Sequence, residues 1–404
     1  MEEGEFLSEL PPEEKTRLAY IEGREDLFRT RVLEFEQEEG NILGKEATNI
    51  VVESRDPGGA NALVPVLELL QKQKDVKIKA ITDGRAQEIF QKNFKTKDIT
   101  PEDNILRAAE LIGSPDLALI GISDESGIEM FVSATFPEVP SVLVEDYYSA
   151  SSGYLQRLKD GKLPYPKKIC VIDEGAKDIL IRKFPDLEGR VEVTGQPKFD
   201  KIAIEDTEKI EKEVKRKLGL TAKDKLVSFM STTIDGVEKI KEIASAIQKT
   251  GSEFYFAFKR HPRDNISYAE YKKIFEDAGI KIIDTEEFTV DEIGAASDVV
   301  LTTWSTVGID AIYRRKPVAN IVDFRYPVPE GYDFPLAPVK LQASAGVDHI
   351  EQLTEILPQL LDKKSSTNAQ LLKNIEKHYK LDGKSAERVV NIINQFTIKS
   401  EDER

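Results

Sequence analysis

The chain is 404 residues long, with 40% hydrophobic and 32% charged residues and a formal net charge of −16 at pH 7. Because a single core stops growing at about 250–300 residues, this length predicts two domains, and the negative charge argues against nucleic acid as a partner. A single cysteine, Cys170, excludes both an internal disulfide and a cysteine-based zinc cluster.

The first 45 residues are predicted to form a helical extension ahead of the main fold. Residues 12–38 are rich in Glu, Arg and Leu and follow a proline pair, which is typical of one or two amphipathic helices. The chain opens with acidic residues and has no apolar run of 18 residues, which indicates neither a signal peptide nor a membrane span. We therefore expect a cytoplasmic protein, with peripheral contact at the inner face of the membrane as an alternative.

From residue 48 onward, short apolar runs alternate with helical stretches. The first set of runs lies at 49–53, 76–81, 116–121, 141–144, 168–172 and 191–194. Such alternation is typical of parallel strands joined by helical crossovers, as in a doubly wound sheet. It predicts a first Rossmann-like domain over residues 46–203.

A charged helical stretch from Asp206 to Lys217 precedes a second set of runs. These lie at 226–230, 254–258, 280–283, 298–301 and 317–321. The repeated pattern predicts a second Rossmann-like domain over 204–368. The helical stretch at 369–397 is expected to pack back across both domains.

A glycine-bearing loop follows the first predicted strand. In an open parallel sheet, ligands bind beyond the carboxyl ends of the strands, so this position favours a binding role. Asp56, Gly58, Gly59 and Asn61 are the candidates for an acceptor-binding loop, because paired glycines permit a positive φ and close backbone approach. A tight turn capped by Asn61 is an equal alternative.

A basic loop, K-R-H-P-R at 259–263, follows the second predicted strand of the later domain. Lys259, Arg260 and Arg263 crowd around His261, and an anionic ligand would compensate their charge. We expect an anion site here. The alternative is an exposed turn built around a proline.

A hydroxyl-bearing loop, T-T-W-S-T-V-G at 302–308, opens a predicted helix. Ser305 and Thr306 beside the free N–H groups of the helix would form a phosphate cradle without a metal, although ordinary Ser/Thr capping also explains them. One turn further on, Asp310 would bind ribose hydroxyls or pair with Arg314.

Two acidic pairs end strands of the first domain: Asp124 with Glu125, and Glu145 with Asp146. One of them would deprotonate an acceptor hydroxyl as a general base if partial burial raised its pKa. Helix capping by Asp124 and simple solvation of Glu145 are the alternatives.

Several short motifs occur in order along the chain. They are V-T-G-Q-P-K-F-D at 193–200, H-P-R at 261–263, D-V-V-L-T-T-W-S-T-V-G-I-D-A at 298–311, R-K-P-V at 315–318 and D-G-K-S-A-E-R at 382–388. With these motifs the chain resembles the GT-B superfamily, especially bacterial nucleotide-sugar glycosyltransferases, CDP-glycerol glycerophosphotransferase-like enzymes and non-hydrolysing UDP-N-acetylglucosamine 2-epimerases. The resemblance implies an α/β protein with two Rossmann-like domains facing a cleft, an N-terminal helical extension and a C-terminal crossover helix.

The resemblance also implies roles for individual residues. His261, together with Arg260, would contact the donor phosphate, and Ser305 with Thr306 would hold the phosphates. Asp310 lies where relatives often carry a ribose-binding Glu, although its side chain is shorter.

Other positions bear on the choice between activities. Asp124 and Glu145 correspond loosely to acidic positions of the epimerases. The first loop of the second domain, however, carries Ser231 and Thr232 where the epimerases carry a histidine and arginines. These two residues become candidates for contact with the donor nucleotide, and transfer is favoured over epimerisation.

We therefore predict a metal-independent GT-B glycosyltransferase of cell-envelope polysaccharide biosynthesis, without a cofactor. It would transfer a sugar or polyol phosphate from a nucleotide-activated donor to a carbohydrate or lipid-linked acceptor hydroxyl, with His261 and a carboxylate from Asp124, Glu145 or Asp146 as catalytic groups. The alternatives are a non-hydrolysing nucleotide-sugar 2-epimerase and a non-catalytic nucleotide-sugar-binding protein. Both a monomer and a homodimer fit the sequence.

Overall fold

The structure is a computed structural model that describes most of the chain. The described residues are 31–36, 47–82, 84–99, 105–123, 127–232, 235–303, 305–326 and 336–397. The chain divides into two α/β units. Unit 1 comprises Met1–Asp200 and Asp382–Arg404, and unit 2 comprises Lys201–Leu381.

The strands of the described residues fall into two sheets. In chain order they are β1 (Arg31–Phe35), β2 (Thr48–Ser54), β3 (Val76–Thr82), β4 (Thr96–Asp98), β5 (Leu117–Ile122), β6 (Ser141–Glu145), β7 (Lys168–Val171), β8 (Val191–Val193), β9 (Leu226–Met230), β10 (Tyr255–Lys259), β11 (Ile282–Ile283), β12 (Val299–Thr302), β13 (Val318–Ile321) and β14 (Ala345–Val347). β1–β8 belong to unit 1 and β9–β14 to unit 2.

Helices follow most of these strands. In chain order they are α1 (Pro57–Leu70), α2 (Gly84–Asn93), α3 (Ile105–Ile112), α4 (Phe131–Thr135), α5 (Ser152–Asp160), α6 (Glu174–Lys183), α7 (Asp200–Ile204), α8 (Thr207–Lys217), α9 (Val237–Lys249), α10 (Tyr268–Asp277), α11 (Val290–Ala296), α12 (Val307–Tyr313), α13 (Ala337–Lys340), α14 (Leu353–Leu361), α15 (Ser366–His378) and α16 (Ser385–Thr397). None of the helices within the described ranges has the length and apolar character needed to cross a membrane.

The sheet of unit 1 has the strand order β4-β1-β3-β2-β5-β6-β7-β8. β1 runs antiparallel to β3 and β4, and every other neighbouring pair is parallel. The direction of winding reverses between β2 and β5, which makes the carboxyl ends of these strands a topological switch point, where doubly wound folds bind ligands. All six residues of β5 are buried, as expected for a strand covered on both faces.

The sheet of unit 2 is entirely parallel in the order β11-β10-β9-β12-β13-β14. This is the order of a Rossmann fold, and its switch point lies between β9 and β12. The helix α9 shows why the sequence folds this way: Ile240, Ile243, Ala244 and Ile247 recur at helical spacing and are all buried.

Residues 31–35 correct one prediction. They were expected in an amphipathic helix, but they form the strand β1, which hydrogen-bonds to both β3 and β4. The reason is tertiary: Phe35 packs against Phe90 and Phe94, and Val32 and Leu33 are fully buried. Strand pairing and side-chain burial outweigh the helix-favouring composition of the surrounding residues. The rest of the predicted helical extension lies outside the described residues.

The C-terminal helices are divided between the units. The predicted span 369–397 contains most of α15, which belongs to unit 2, and all of α16, which belongs to unit 1. Val389 and Ile393 of α16 lie in the same buried cluster as Leu63 and Leu67 of α1. The units are divided after residues 200 and 381, whereas the prediction divided them after 203 and 368.

Candidate functional site

The glycine loop of unit 1 lies at its switch point, directly after β2. Both glycines are in the first turn of α1 and neither has a positive φ. A Cβ on Gly58 would lie 2.0 Å from Asp146 Oδ2 and 2.4 Å from Ser123 Oγ, and one on Gly59 would lie 2.4 Å from the carbonyl oxygen of Gly121. Internal close packing therefore explains why glycine is needed here.

The capping alternative for this loop is corrected by the structure. Asn61 is an exposed residue inside α1, and the residue at the N-cap is Asp56, whose side chain makes no capping hydrogen bond. The turn arises from Pro57 at the first helical position, where its missing N–H costs nothing and its fixed φ suits a helix.

Asp146 ends β6 in a fully bonded environment. Lys198 Nζ lies 2.6 Å from Asp146 Oδ1, and Ser123 Oγ donates to Asp146 Oδ2 over 3.1 Å. Gln196 Nε2 donates to the backbone carbonyls of Glu145 and Asp146 over 2.9 and 2.8 Å. The G-Q-P-K segment at 195–198 therefore holds the loop after β6 in place.

Glu145 is buried, and only one of its two carboxyl oxygens is hydrogen-bonded. Its Oε1 accepts hydrogen bonds from the backbone N–H of Ser151 (3.0 Å) and from Ser151 Oγ (2.8 Å), whereas its Oε2 has no hydrogen-bond partner. Burial raises the pKa of Glu145 to about 7, against the opposing effect of the Ser151 bonds. A carboxyl group whose pKa lies near neutral pH is suited to accept a proton as a general base.

Two further buried carboxyls, Glu53 and Glu129, were not predicted as site residues. Glu129 Oε1 accepts the N–H of Arg55 over 2.9 Å and its Oε2 accepts the N–H of Gly127 over 2.8 Å, so one side chain ties the loop after β2 to the loop after β5. Burial raises the pKa of Glu129 to about 7 and that of Glu53 well above its usual range.

The sequence contained one indication of the Glu53 position. An acidic residue closes the otherwise apolar run at 49–53, which predicts a carboxyl at the carboxyl end of a buried strand. Nothing local distinguished Glu129, because the bond that joins the two loops comes from Arg55, which is distant in sequence. Asp124 and Glu125, the other predicted acidic pair, lie outside the described residues.

The switch point of unit 2 is organised by Asp235, which sequence reasoning missed. Asp235 Oδ2 accepts the N–H of Thr232 (2.7 Å), Thr232 Oγ1 (3.0 Å) and Thr303 Oγ1 (2.8 Å). Its Oδ1 lies 2.9 Å from Lys239 Nζ, and both side chains of this ion pair are buried. A buried charge persists only when it is paired and hydrogen-bonded, and Asp235 meets both conditions. It joins the loops after β9 and β12.

The basic loop after β10 keeps only part of its predicted anion-binding capacity. Lys259 Nζ donates to the carbonyls of Thr285 (2.7 Å) and Phe288 (2.6 Å), and burial lowers its pKa. The ammonium group of Lys259 is thus used in hydrogen bonds within the protein. Arg260 is half-buried and donates to the carbonyl of Asp264 over 2.9 Å through Nη1.

His261 is half-buried, and its ring is oriented by a hydrogen bond. The N–H of Arg263 donates to His261 Nδ1 over 3.1 Å. Because Nδ1 acts as an acceptor, the neutral imidazole carries its proton on Nε2, which becomes the donor available to a ligand. β10 and β12 flank β9, so the ends of the strands that carry His261 and Ser305 are separated by two strand spacings, about 10 Å.

The hydroxyls of the loop after β12 do not cap α12 in the ordinary way. The N–H of Val307 donates to Ser305 Oγ over 3.3 Å, and Thr306 at the N-cap of α12 is exposed and makes no side-chain cap. Arg314 pairs with Glu205, which corrects the alternative that paired Arg314 with Asp310. Ser231, on the loop after β9, donates through Oγ to the carbonyl of Lys259 over 3.4 Å.

Within the part of the chain that the structure describes, no group of three or more His, Cys, Asp or Glu side chains is arranged to hold a metal ion.

Solved structures share this fold. A UDP-N-acetylglucosamine 2-epimerase has 18% identity and a TM-score of 0.59, with 88% of this chain and 98% of that chain covered. A glycosyltransferase from Rickettsia africae has 12% identity and a TM-score of 0.58, with 88% and 100% covered. The wall teichoic acid polymerase TagF has 12% identity and a TM-score of 0.50, with 95% and 93% covered. These similarities establish a GT-B-like fold.

Sequence comparison gives the family. No curated protein matches the chain. The family model of the CDP-glycerol:poly(glycerophosphate) glycerophosphotransferases matches residues 165–395, which is more than half of the chain and includes the whole of unit 2. The chain therefore belongs to the CDP-glycerol:poly(glycerophosphate) glycerophosphotransferase family and is a transferase of the GT-B type.

Proposed function

We propose that this transferase moves a glycerol phosphate unit from CDP-glycerol to an acceptor hydroxyl. The family match over residues 165–395 is the observation that carries the proposal. A TagF structure obtained with CDPG has the same fold, which supports this donor over a nucleotide sugar. In the reaction, the acceptor oxygen attacks the phosphorus that bears the glycerol, the bond from that phosphorus to the bridging oxygen breaks, and CMP leaves with the bond's electron pair.

The donor phosphates are proposed to bind at the carboxyl edge of the unit 2 sheet. His261 is suited to this role because its Nε2 carries a proton that can be donated to a phosphate oxygen as negative charge builds up on the leaving group. Arg260 would add positive charge, and Ser305 with Thr306 would add hydroxyls. Asp310 is proposed to bind the ribose, and no metal is invoked because fixed donors can stabilise the leaving group.

Glu145 is proposed as the general base that takes the proton of the acceptor hydroxyl. Its pKa of about 7 makes it partly ionised at neutral pH and basic enough to accept a proton, whereas Asp146 is already paired with Lys198. Activity of the wild type should therefore rise with pH through about 7. Glu145→Gln should lower the rate and remove this rise, and an unchanged pH profile would assign the base elsewhere.

The transfer is tested with purified protein, CDP-glycerol and a glycerophosphate-primed acceptor. Release of CMP and lengthening of the acceptor are measured together. His261→Ala should lower turnover by about 10²–10³-fold, the usual cost of removing a donor to developing charge. His349→Ala, which changes an exposed histidine beyond β14, serves as the matched control and should keep wild-type turnover. Near-normal turnover of His261→Ala would reject the role of His261.

Epimerisation of a nucleotide sugar is the second candidate, favoured by the similarity of the fold to a UDP-N-acetylglucosamine 2-epimerase. It needs no acceptor, so the protein is incubated with UDP-N-acetylglucosamine alone. Formation of the 2-epimer would replace the transfer proposal. Nucleotide affinity without turnover on any donor and acceptor pair would instead support a binding protein.

A further inference from the structure

Two threonine hydroxyls meet at the switch point of unit 2. Thr232 follows β9 and Thr303 follows β12, and their Oγ1 atoms are 3.2 Å apart. Thr303 is fully buried, whereas Thr232 is half-buried. Thr232 is therefore the member of the pair that a ligand can reach.

The hydroxyl proton of Thr232 is already used inside the protein. A hydroxyl has one proton, and an ionised carboxylate can only accept. The acceptors in reach of Thr232 Oγ1 are Asp235 Oδ2 at 3.0 Å and Thr303 Oγ1 at 3.2 Å. Asp235 also forms a buried ion pair with Lys239, whose Nζ lies 2.9 Å from Asp235 Oδ1. Among the described residues, both acceptors lie within the protein, so Thr232 Oγ1 donates its proton internally and can only accept a hydrogen bond from a ligand.

From this geometry we infer that Thr232 recognises a hydrogen-bond donor of the ligand, a hydroxyl or amino group, and does not bind a phosphate. A phosphate oxygen offers only lone pairs, and two lone pairs facing each other repel. Asp235 acts as the positioning residue that sets this polarity. The inference rests on the proposed function, and it removes Thr232 from the predicted phosphate contacts while leaving His261 among them.

The donor group has three possible sources in CDP-glycerol: a ribose hydroxyl, the cytosine amino group and a glycerol hydroxyl. All three present an O–H or N–H to an oxygen acceptor, so the chemistry of recognition is shared. Ligands that lack one group at a time distinguish them. CDP lacks the glycerol; relative to CDP, 2′-deoxy-CDP and 3′-deoxy-CDP each lack one ribose hydroxyl, and UDP lacks the cytosine amino group.

The chain contains a matched control for the substitution. Thr221 bonds to Asp224 in the same way as Thr232 bonds to Asp235: its N–H and its Oγ1 both donate to Asp224 Oδ2, over 2.7 and 2.8 Å. Thr221 precedes β9, so this second pair lies at the opposite end of the strand. Thr221→Val removes an equivalent internal hydrogen bond away from the switch point.

The test measures dissociation constants by calorimetry for the wild type, Thr232→Val, Thr232→Ser and Thr221→Val. With CDP-glycerol we expect Thr232→Val to weaken binding about three- to tenfold, the usual worth of one hydrogen bond. Thr232→Ser restores the oxygen and should bind within about twofold of the wild type, as should Thr221→Val. A loss that is absent with CDP assigns the donor to the glycerol. A loss that persists with CDP should disappear with the one of 2′-deoxy-CDP, 3′-deoxy-CDP and UDP that lacks the recognised group.

Two results would overturn the inference. The first is a Thr232→Val substitution that weakens the binding of inorganic pyrophosphate by the same factor as the binding of CDP-glycerol. Pyrophosphate has only phosphate oxygens, so the inference expects no such loss. The second is a Thr232→Val variant that binds every ligand as tightly as the wild type does. A wild-type protein that binds none of the nucleotides would reject the proposed donor itself, and the inference with it.

Discussion

At the scale of single residues, the buried carboxyl groups at the two sheet edges have different roles. Asp235 bonds to two threonines and pairs with Lys239, and it fixes the shape of its site. Glu145 has an unbonded oxygen and a raised pKa, and it is the more suited to exchange a proton. The difference arises because a cation lies beside Asp235, whereas desolvation dominates at Glu145.

The raised pKa of Glu145 makes stability depend on pH. The folded state holds this proton up to about pH 7, whereas the unfolded chain releases it near 4.5, so the free energy of unfolding falls as pH rises between these values. The contribution of this one group is on the order of 3 kcal/mol, since each pKa unit is worth about 1.4 kcal/mol.

Denaturant unfolding from pH 4.5 to 8 measures this effect. Glu145→Gln imitates the protonated carboxyl, so its stability relative to the wild type should improve across that range and level off above pH 7. A stability difference that does not change with pH would show that Glu145 is ionised in the folded protein.

The glycine pair of α1 supports a second prediction at this scale. Gly59→Ala places a Cβ 2.4 Å from the backbone oxygen of Gly121, so α1 must move away from β5. We expect a loss of about 1–3 kcal/mol, the usual cost of overpacking a core. Gly84→Ala in α2 meets no atom within 4 Å and should be neutral or stabilising. Thermal or denaturant unfolding compares the two, and equal effects would contradict the packing explanation.

At the scale of elements, the sequence predicted the main strands of each sheet more completely than the helix caps and the short edge strands. All eleven predicted runs coincide with strands, to within one or two residues at most ends. β1, β4 and β14 were missed. β4 and β14 have three residues each and are too short for a periodicity, and β1 lies in a segment of helical composition. Their pairing partners, which are distant in sequence, make them strands.

The N-terminus of α16 shows an interaction between elements that local sequence could not reveal. Asp200 Oδ1 accepts the N–H of Ser385 over 2.9 Å and Oδ2 accepts the N–H of Ala386 over 2.8 Å, and Arg388 Nη1 donates to the carbonyl of Thr194 over 3.3 Å. The motifs at 193–200 and 382–388 therefore bind each other within unit 1.

Removal of this cap should destabilise α16. Asp200→Ala leaves two buried N–H groups without partners, and we expect a loss of about 1–3 kcal/mol. Hydrogen exchange of the α16 amides measures this effect, and it should be faster in Asp200→Ala than in the wild type. Asp206→Ala is the control: it removes the local cap of α8, where Asp206 accepts the N–H of Lys209 over 3.0 Å, and it should leave α16 unchanged. Unchanged exchange in Asp200→Ala would contradict the assigned cap.

At the scale of the whole molecule, unit 1 is built from two separate parts of the chain. The chain leaves unit 1 after Asp200, forms unit 2, and returns to unit 1 at Asp382. The consecutive helices α15 and α16 therefore stabilise different units, which composition alone did not indicate.

Matched core substitutions in these two helices test the division. Ile375 in α15 and Ile393 in α16 are both fully buried. Each isoleucine-to-alanine change should cost about 2–5 kcal/mol. Hydrogen exchange should show that Ile375→Ala weakens protection in unit 2, and that Ile393→Ala weakens it in unit 1. Loss of protection in the same unit for both variants would rule out this division.

The sequence by itself determined the α/β class, the two repeats of strand and helix, and the strand-end loops that carry His261, Ser305 and Glu145. It could do so because periodicity and turn chemistry are local properties of the chain. Only the tertiary structure decided that Gly58 and Gly59 serve packing, that Lys259 is committed to backbone carbonyls, and that Asp235 and Glu129 organise the two edges. These facts depend on atoms brought together from distant parts of the chain, and no local pattern records those contacts.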